Sequence, residues 1–359
     1  MEKLNVTLLY DEVEDQEQSA YEEKPVYRAV EEVLSERGHD VRTLAAGPDI
    51  RKLVNALEKD DSDIVFNLCE SLGGVERHAI NVASLLELLG KRFTGTGSYG
   101  QMLAHDKGLA KKIFSFHGLS YPRFSRMEAG QVEWSDELKF PLFVKPANTD
   151  SSVGIDDHSL VRNIKQLMER ISYIHTEIKS PVLIEEFIEG RELFVAVLGN
   201  EHREAMPIIE WDFTKVKRGA KFATWDAKWN VESEGYKAPE LFPEDIPEPV
   251  YKRIQQAAVD ACRALRICDY GRVDLRIRPK KGSGTSSEPA DWELFIIEVN
   301  PNPYLERTAE VAMSAARKDL AYPDLIEKIL EFAMHRNRVL EEPTVMPAPA
   351  HPEAQEGRV

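Results

Sequence analysis

Two hydrophobic periods alternate along the chain, and their order sets out an architecture. Residues 5–10 form a short apolar run that reads as a buried first strand. An acidic stretch follows at 11–23, and residues 25–37 repeat apolar positions at helical spacing until Gly38 ends them. A second strand at 41–44, a helix at 50–58 and a third strand at 64–68 complete a βαβαβ order. That order predicts a parallel sheet with helices on its faces. Such sheets bind ligands outside the carboxyl ends of their strands, which here places a site near residues 11–15 and 69–77. A helix at 77–89 stops at Gly90. The glycine-rich run at 93–100 lacks both the dinucleotide fingerprint and the Walker spacing, so it reads as a connection between domains, after which Asp106 and Lys107 open a helix to about residue 117.

The second half is richer in strands. Residues 141–146 read as a strand ending in Lys145, held extended by Pro146. The small polar run 148–154, with Ser151 and Ser152, is able to curl backbone N–H groups around an anion. A helix at 160–171 leads to a strand, a turn at Gly190 and a second strand from about Leu193. The edge at Glu185, Glu186, Phe187 and Ile188 suits a purine ring, or is simply a hairpin. Residues 211–239 are long, aromatic and locally basic, with Lys215, Lys221, Lys228, Trp225 and Trp229, and read as a lid over phosphates. Helices at 249–265 and 322–336 enclose two further strands, at 271–276 and 292–303.

Those two strands carry the strongest candidate chemistry. Side chains two apart on a strand share a face, so Arg272 aligns with Asp274 and Glu298 with Asn300. A polar loop at 279–290 can turn one strand back beside the other, gathering two carboxylates and an amide oxygen, a donor set that suits Mg²⁺. Carboxylates on a strand are more often solvated surface. Ile296, Ile297 and Val299 around Glu298 weigh against that, because a charge in an apolar strand is costly without a cation.

Composition narrows the classes. The chain has 359 residues, 42% of them hydrophobic, enough for two or three packed units. A formal charge of −16 argues against a nucleic-acid partner, which requires a basic surface. Cys69, Cys262 and Cys268 have no metal-ligand spacing and read as reduced thiols of a cytoplasmic protein. The opening residues lack the apolar run of a signal peptide, and no apolar run reaches the length of a membrane span.

Taken together, several motifs resemble the ATP-grasp ligases, and most closely their D-alanine:D-alanine ligase branch. They are Phe-Thr-Gly-Thr-Gly at 93–97, Asp106 with Lys107, Phe-Val-Lys-Pro at 143–146 with Ser-Ser-Val-Gly at 151–154, the acidic run at 185–192, Trp-Asp-Ala-Lys-Trp at 225–229, Gly-Arg-Val-Asp at 271–274 and Glu-Val-Asn at 298–300. The resemblance implies an α/β protein with an ATP-grasp fold behind a doubly wound parallel-sheet domain. The expected units are 1–106, 107–193 and 194–336, with a disordered tail at 337–359. It further implies ATP held by Lys107, Lys145, Ser151, Ser152 and Lys228, by the edge Glu185 to Ile188 and by Glu192, with Phe222 and Ile297 about the base. Two Mg²⁺ ions, or Mn²⁺, would bind Asp274, Glu298 and Asn300. Arg272 and Lys228 would be catalytic in forming an acyl phosphate that an amine captures.

The chain departs from that pattern at both amino-acid subsites, at residues 11–17, 69–78 and 301–308, where Arg77 and Arg307 are candidates to seat a substrate carboxylate. The expected substrates are therefore amino acids or peptides other than two D-alanines, with a homodimer possible. A D-alanine ligase with altered subsites, and a nucleotide-binding sensor without catalysis, stay open as alternatives.

Overall fold

A computed structural model describes residues 2–12, 25–130, 137–149, 152–216, 221–280, 282 and 287–336. The first unit follows the expected order. Strands β1 (Asn5–Asp11), β2 (Asp40–Ala46) and β3 (Ile64–Asn67) form a parallel sheet in the order β2-β1-β3, with α1 (Val26–Glu36) and α2 (Ile50–Lys59) as crossovers. Apolar side chains on both faces of β1 explain why: Leu8 packs with Val30 and Leu34, and Leu9 with Leu53 and Leu57.

After a single 3-10 turn at 76–78, α3 (Ala79–Leu88) begins two residues later than the periodicity indicated. The run expected to be a connection is instead a packed joint leading into α4 (Ser98–His105). Gly95 lies at φ +88 and touches the Asn302 amide, so a side chain there would collide with it. The Thr96 N–H donates to Asn302 Oδ1 at 2.6 Å, tying this joint to the chain that leaves the last strand. Asp106 caps α5 (Lys107–Phe116) by accepting from the Leu109 N–H at 2.9 Å.

A second, antiparallel sheet in the order β4-β7-β5-β6 consists of β4 (Phe124–Met127), β5 (Leu142–Pro146), β6 (Leu160–Val161) and β7 (Val182–Glu186). It is backed by α6 (Ile164–Tyr173), which starts later than expected because Asn163 caps it through the Gln166 N–H.

The third sheet runs β11-β10-β8-β12-β13, with β9 (Glu204–Ala205) beside β8 (Arg191–Leu198). Strand β10 is Ile209–Trp211, and the expected lid contains a short helix, α7 (Trp225–Trp229), before the edge strand β11 (Glu240–Leu241). Helix α8 (Glu248–Ala264) covers one face of β12 (Tyr270–Pro279) and β13 (Trp292–Pro301), while α9 (Glu310–Arg317) and α10 (Tyr322–His335) close the fold. Among the described residues no helix is long and apolar enough to cross a membrane. The expected tail, residues 13–15, Ser151, and residues 217–220 within the expected lid lie outside the described residues.

Candidate active site

Strand β12 alternates cleanly. Val273, Leu275 and Ile277 are fully buried against α8, so Arg272, Asp274 and Arg276 project from the opposite face. In the antiparallel pairing with β13, Arg272 stands opposite Asn300 and Asp274 opposite Glu298. The expected set of four therefore shares one face. Between Asp274 and Leu275 the register shifts, leaving Ile297 as an extra residue on β13. This bulge explains how Ile296 and Val299, three apart, both reach the core below the sheet.

The bulge has a second consequence, because it leaves the Ile297 carbonyl out of the ladder, where the Lys111 ammonium donates to it at 2.8 Å. Lys111 is fully buried and also lies 2.8 Å from Glu185 Oε1, while Lys145 lies 2.9 Å from Glu185 Oε2. Burial works to raise the Glu185 carboxyl, but the two lysines outweigh it and hold it below its ordinary value. Burial pushes the Lys111 ammonium down, against the pull of Glu185. Lys107, one turn before Lys111, donates to the Thr149 carbonyl at 2.8 Å and lies 3.4 Å from Glu298 Oε2.

Beside these lysines is an aromatic cleft. The Phe222 ring meets Phe143 edge-on at 4.9 Å and Phe187 at 6.0 Å. Arg276 donates to the Ile188 carbonyl and to Glu192, both at 2.7 Å, and its guanidinium lies over Phe187. Glu186 faces away from Glu185 along β7, and burial raises its carboxyl. Ser152 adopts φ 60 in the turn after β5.

Moving along β12 from Arg276 past Asp274 leads to Arg272. Its guanidinium grips Asp274 through Nε and Nη2, at 2.8 and 3.1 Å, and its Nη1 donates to Glu310 Oε1 at 3.1 Å. Burial and the Glu298 charge raise the Asp274 carboxyl, with Arg272 opposing them. Lys228 on α7 is a charged neighbour of Asp274 and Glu310. Two carboxylates and an amide on one face are hard donors that fit a divalent cation. The Asn300 Nδ2 is buried and has no hydrogen-bond partner among the described residues. Among those residues no group of three His, Cys, Asp or Glu side chains is placed to hold a metal, so three donors are reached only through the Asn300 amide.

Sequence reasoning missed Lys111, Glu310, Arg276 and Glu240. Lys111 was within reach, since residues four apart on a helix share a face and Lys107 was already a candidate. No local signal marks Glu310 or Glu240. Arg307, a candidate for a substrate carboxylate, instead pairs with Glu32 at 3.2 Å, and Arg77 is exposed beside α3.

The family described as "D-ala D-ala ligase C-terminus" matches residues 104–331, well over half the chain and spanning every side chain named in this site except Glu32 and Arg77. The chain belongs to that family. It is an ATP-grasp ligase, an ATP-dependent enzyme that forms a C–N bond. An uncharacterized protein, y4sG, of Sinorhizobium fredii is 32% identical over 311 residues, covering 84% of this chain and 85% of that one. The D-alanine–D-alanine ligase of Desulfotalea psychrophila is 28% identical over 313 residues, covering 86% and 89%. Among solved structures, the D-alanine–D-alanine ligase of Bacillus anthracis complexed with ATP superposes with a TM-score of 0.71 at 20% identity, covering 92% of this chain and 97% of that one. That likeness fixes the fold, with its parallel-sheet unit at the start.

Proposed function

We propose that the enzyme joins a carboxylic acid, an amino acid or small peptide, to an amine through an acyl phosphate, and that its substrates are not a pair of D-alanines. The observation that carries this reading is the β12–β13 face, where Arg272, Asp274, Glu298 and Asn300 stand in opposed register. In the first step a carboxylate oxygen attacks the γ-phosphorus of ATP, the O–P bond forms, and the bond to the bridging oxygen breaks as ADP leaves. In the second, the amine lone pair attacks the acyl carbon, the C–N bond forms, and phosphate departs with the electron pair of the broken C–O bond. The proton that the attacking nitrogen loses passes to the phosphate or to solvent, and a primary amine keeps one N–H in the amide.

Lys107 and Lys145, with Ser151 and Ser152, are assigned to the phosphates, and Glu185 to Ile188 with Glu192, Phe222 and Ile297 to the nucleoside. Mg²⁺ at Asp274, Glu298 and Asn300 would supply charge neutralisation for the moving phosphoryl group. Arg272 stands where negative charge develops on the acyl oxygen, and a positioned cation there lowers the barrier. Helix α7, which carries Lys228, closes over the site and excludes water from the acyl phosphate.

The test is ADP formation from Mg-ATP with single and paired amino acids, with Glu298→Gln as control. Turnover that depends on a particular pair and disappears in the control supports ligation. The names of relatives such as the Desulfotalea psychrophila enzyme favour D-alanine as a second reading, and turnover with D-alanine alone would establish it. ATP binding with no turnover under any pairing would sink both.

A further inference from the structure

The nucleoside end and the Arg272 end of the site differ in charge. Along β12 the order is Arg276 under the aromatic cleft, then Asp274, then Arg272, so Arg272 lies across the carboxylates from the nucleoside. On the ligase reading above, the incoming amine is assigned to this side. An arginine here is suited to grip the carboxylate of an α-amino acid, but this one is already engaged. Two of its edges are taken by Asp274 and Glu310, and its face lies over Phe194 at 5.0 Å. Burial works to raise the Glu310 carboxyl, but Arg272 outweighs it and leaves it lowered, so Glu310 is a committed anion.

A second carboxylate faces the same space. Glu240 on the edge strand β11 pairs with Trp211, Trp211 with Glu192, and Glu192 with Arg276. Residues directly opposite one another in an antiparallel sheet share a face, so Glu240 projects on the side that carries Arg272 and Asp274. Its charged neighbours are Glu310 from α9, Arg272 from β12 and Lys228 from α7. Among the described residues its carboxylate makes no hydrogen bond or ion pair. The floor between them is apolar, built from Phe194, Ile209 and Trp211 with Met313 and Phe242 against it.

We propose that Glu310, by occupying Arg272, and Glu240, by facing the same space with no ion pair of its own among the described residues, select an acceptor amine that carries no carboxylate of its own, such as an alkylamine or a diamine. This rests on the ligase reading above. An α-amino acid acceptor would bring its carboxylate against two glutamates while Arg272 is held by Asp274 and Glu310, whereas an ammonium meets Glu240 directly. The apolar floor suits an alkyl stem.

The experiment separates this inference from the reading beneath it. Full-length enzyme with Mg-ATP is first given hydroxylamine and a panel of carboxylic and amino acids, and hydroxamate formation identifies donors that become acyl phosphates. With such a donor fixed, alanine, alaninamide and 1,4-diaminobutane are compared as acceptors by kcat/KM and by product mass. Alaninamide and the diamine should exceed alanine by about tenfold or more, the scale of one charge-assisted contact. Glu310→Gln, which frees an edge of Arg272, and Glu240→Gln should each move the ratio toward alanine by a similar factor. Equal or better use of alanine by the wild type, or a ratio unmoved in both variants, overturns the inference while hydroxamate formation leaves ligation standing. If no carboxylate yields a hydroxamate, both fall.

Discussion

The Lys111–Glu185–Lys145 triad makes an unequal prediction about its own members. Glu185 and Lys111 are almost wholly inaccessible, and one carboxylate there serves two ammonium groups at 2.8 and 2.9 Å. In Glu185→Gln two like charges remain buried with no anion between them, and breaking a buried pair this way costs about 3–5 kcal/mol. In Lys111→Met the apolar stem is kept, Glu185 and Lys145 remain a balanced pair, and the main loss is the bond to the Ile297 carbonyl, roughly 1–2 kcal/mol. For a chain of this size about 2 °C of midpoint accompanies each kcal/mol. Glu185→Gln should then lower the thermal midpoint by roughly 6–10 °C and Lys111→Met by about 2–4 °C. Combining them should recover part of the larger loss, because it removes one of the unpaired cations. The measurement is scanning calorimetry of the three variants at pH 7.5. If Lys111→Met costs as much as Glu185→Gln, the carboxylate is not the hub of the triad and the reasoning fails.

Two further predictions follow from buried groups. Burial, with Glu310 adding to it, pushes the Glu240 carboxyl from 4.5 up to about 7, so between those values the folded state binds more protons than the unfolded. Stability contributed by Glu240 is therefore lost as pH rises through that window, and Glu240→Gln should gain roughly 1–3 kcal/mol over wild type on going from pH 5 to pH 8; a difference between the two proteins that does not change with pH would contradict this. Burial raises the Cys262 thiol to about 12, leaving no thiolate at neutral pH, so N-ethylmaleimide at pH 7.5 should label the partly exposed Cys268 in the native protein and spare Cys262. Comparable labelling of both, mapped by mass spectrometry, would show that the α8 core opens.

Strand periodicity made the β12–β13 chemistry legible, because a period of two places Arg272 with Asp274 and Glu298 with Asn300 whatever the rest of the chain does. The parallel unit was legible for a similar reason, its strands being apolar on both faces and punctuated by Gly38 and by capping residues. What failed were places where tertiary contacts override local pattern. The Gly95 segment looked like a linker because glycine permits one, yet its glycine serves a close approach to Asn302. The bulge at Ile297 leaves no mark on composition, and without it the role of its carbonyl as the Lys111 acceptor is invisible. Glu240 and Glu310 come from an edge strand of two residues and from the first turn of a helix, both too short for a periodic signal.

That division follows from how the fold builds the site. Side chains assigned above to phosphate and metal charge come mainly from the β12–β13 pair, helix α5 and strand β5, elements tied together by the sheet ladder and the buried Lys111–Glu185–Lys145 triad. Side chains proposed to face the incoming amine arrive from β11, α7 and α9, elements that meet the face from its rim. Neither Glu240 nor Glu310 belongs to the β12–β13 pair that sets Asp274 opposite Glu298. The two ends also oppose each other in charge. Lysines 107, 111 and 145 and Arg276 outnumber Glu185 and Glu192 at the end assigned to an anionic nucleotide, whereas Asp274, Glu298, Glu310 and Glu240 outnumber Arg272 and Lys228 at the other. A chain that keeps the strand pair and alters its rim can therefore retain acyl phosphate chemistry while changing the amine that captures it, and the Glu310 contact to Arg272 is where that change is most directly written.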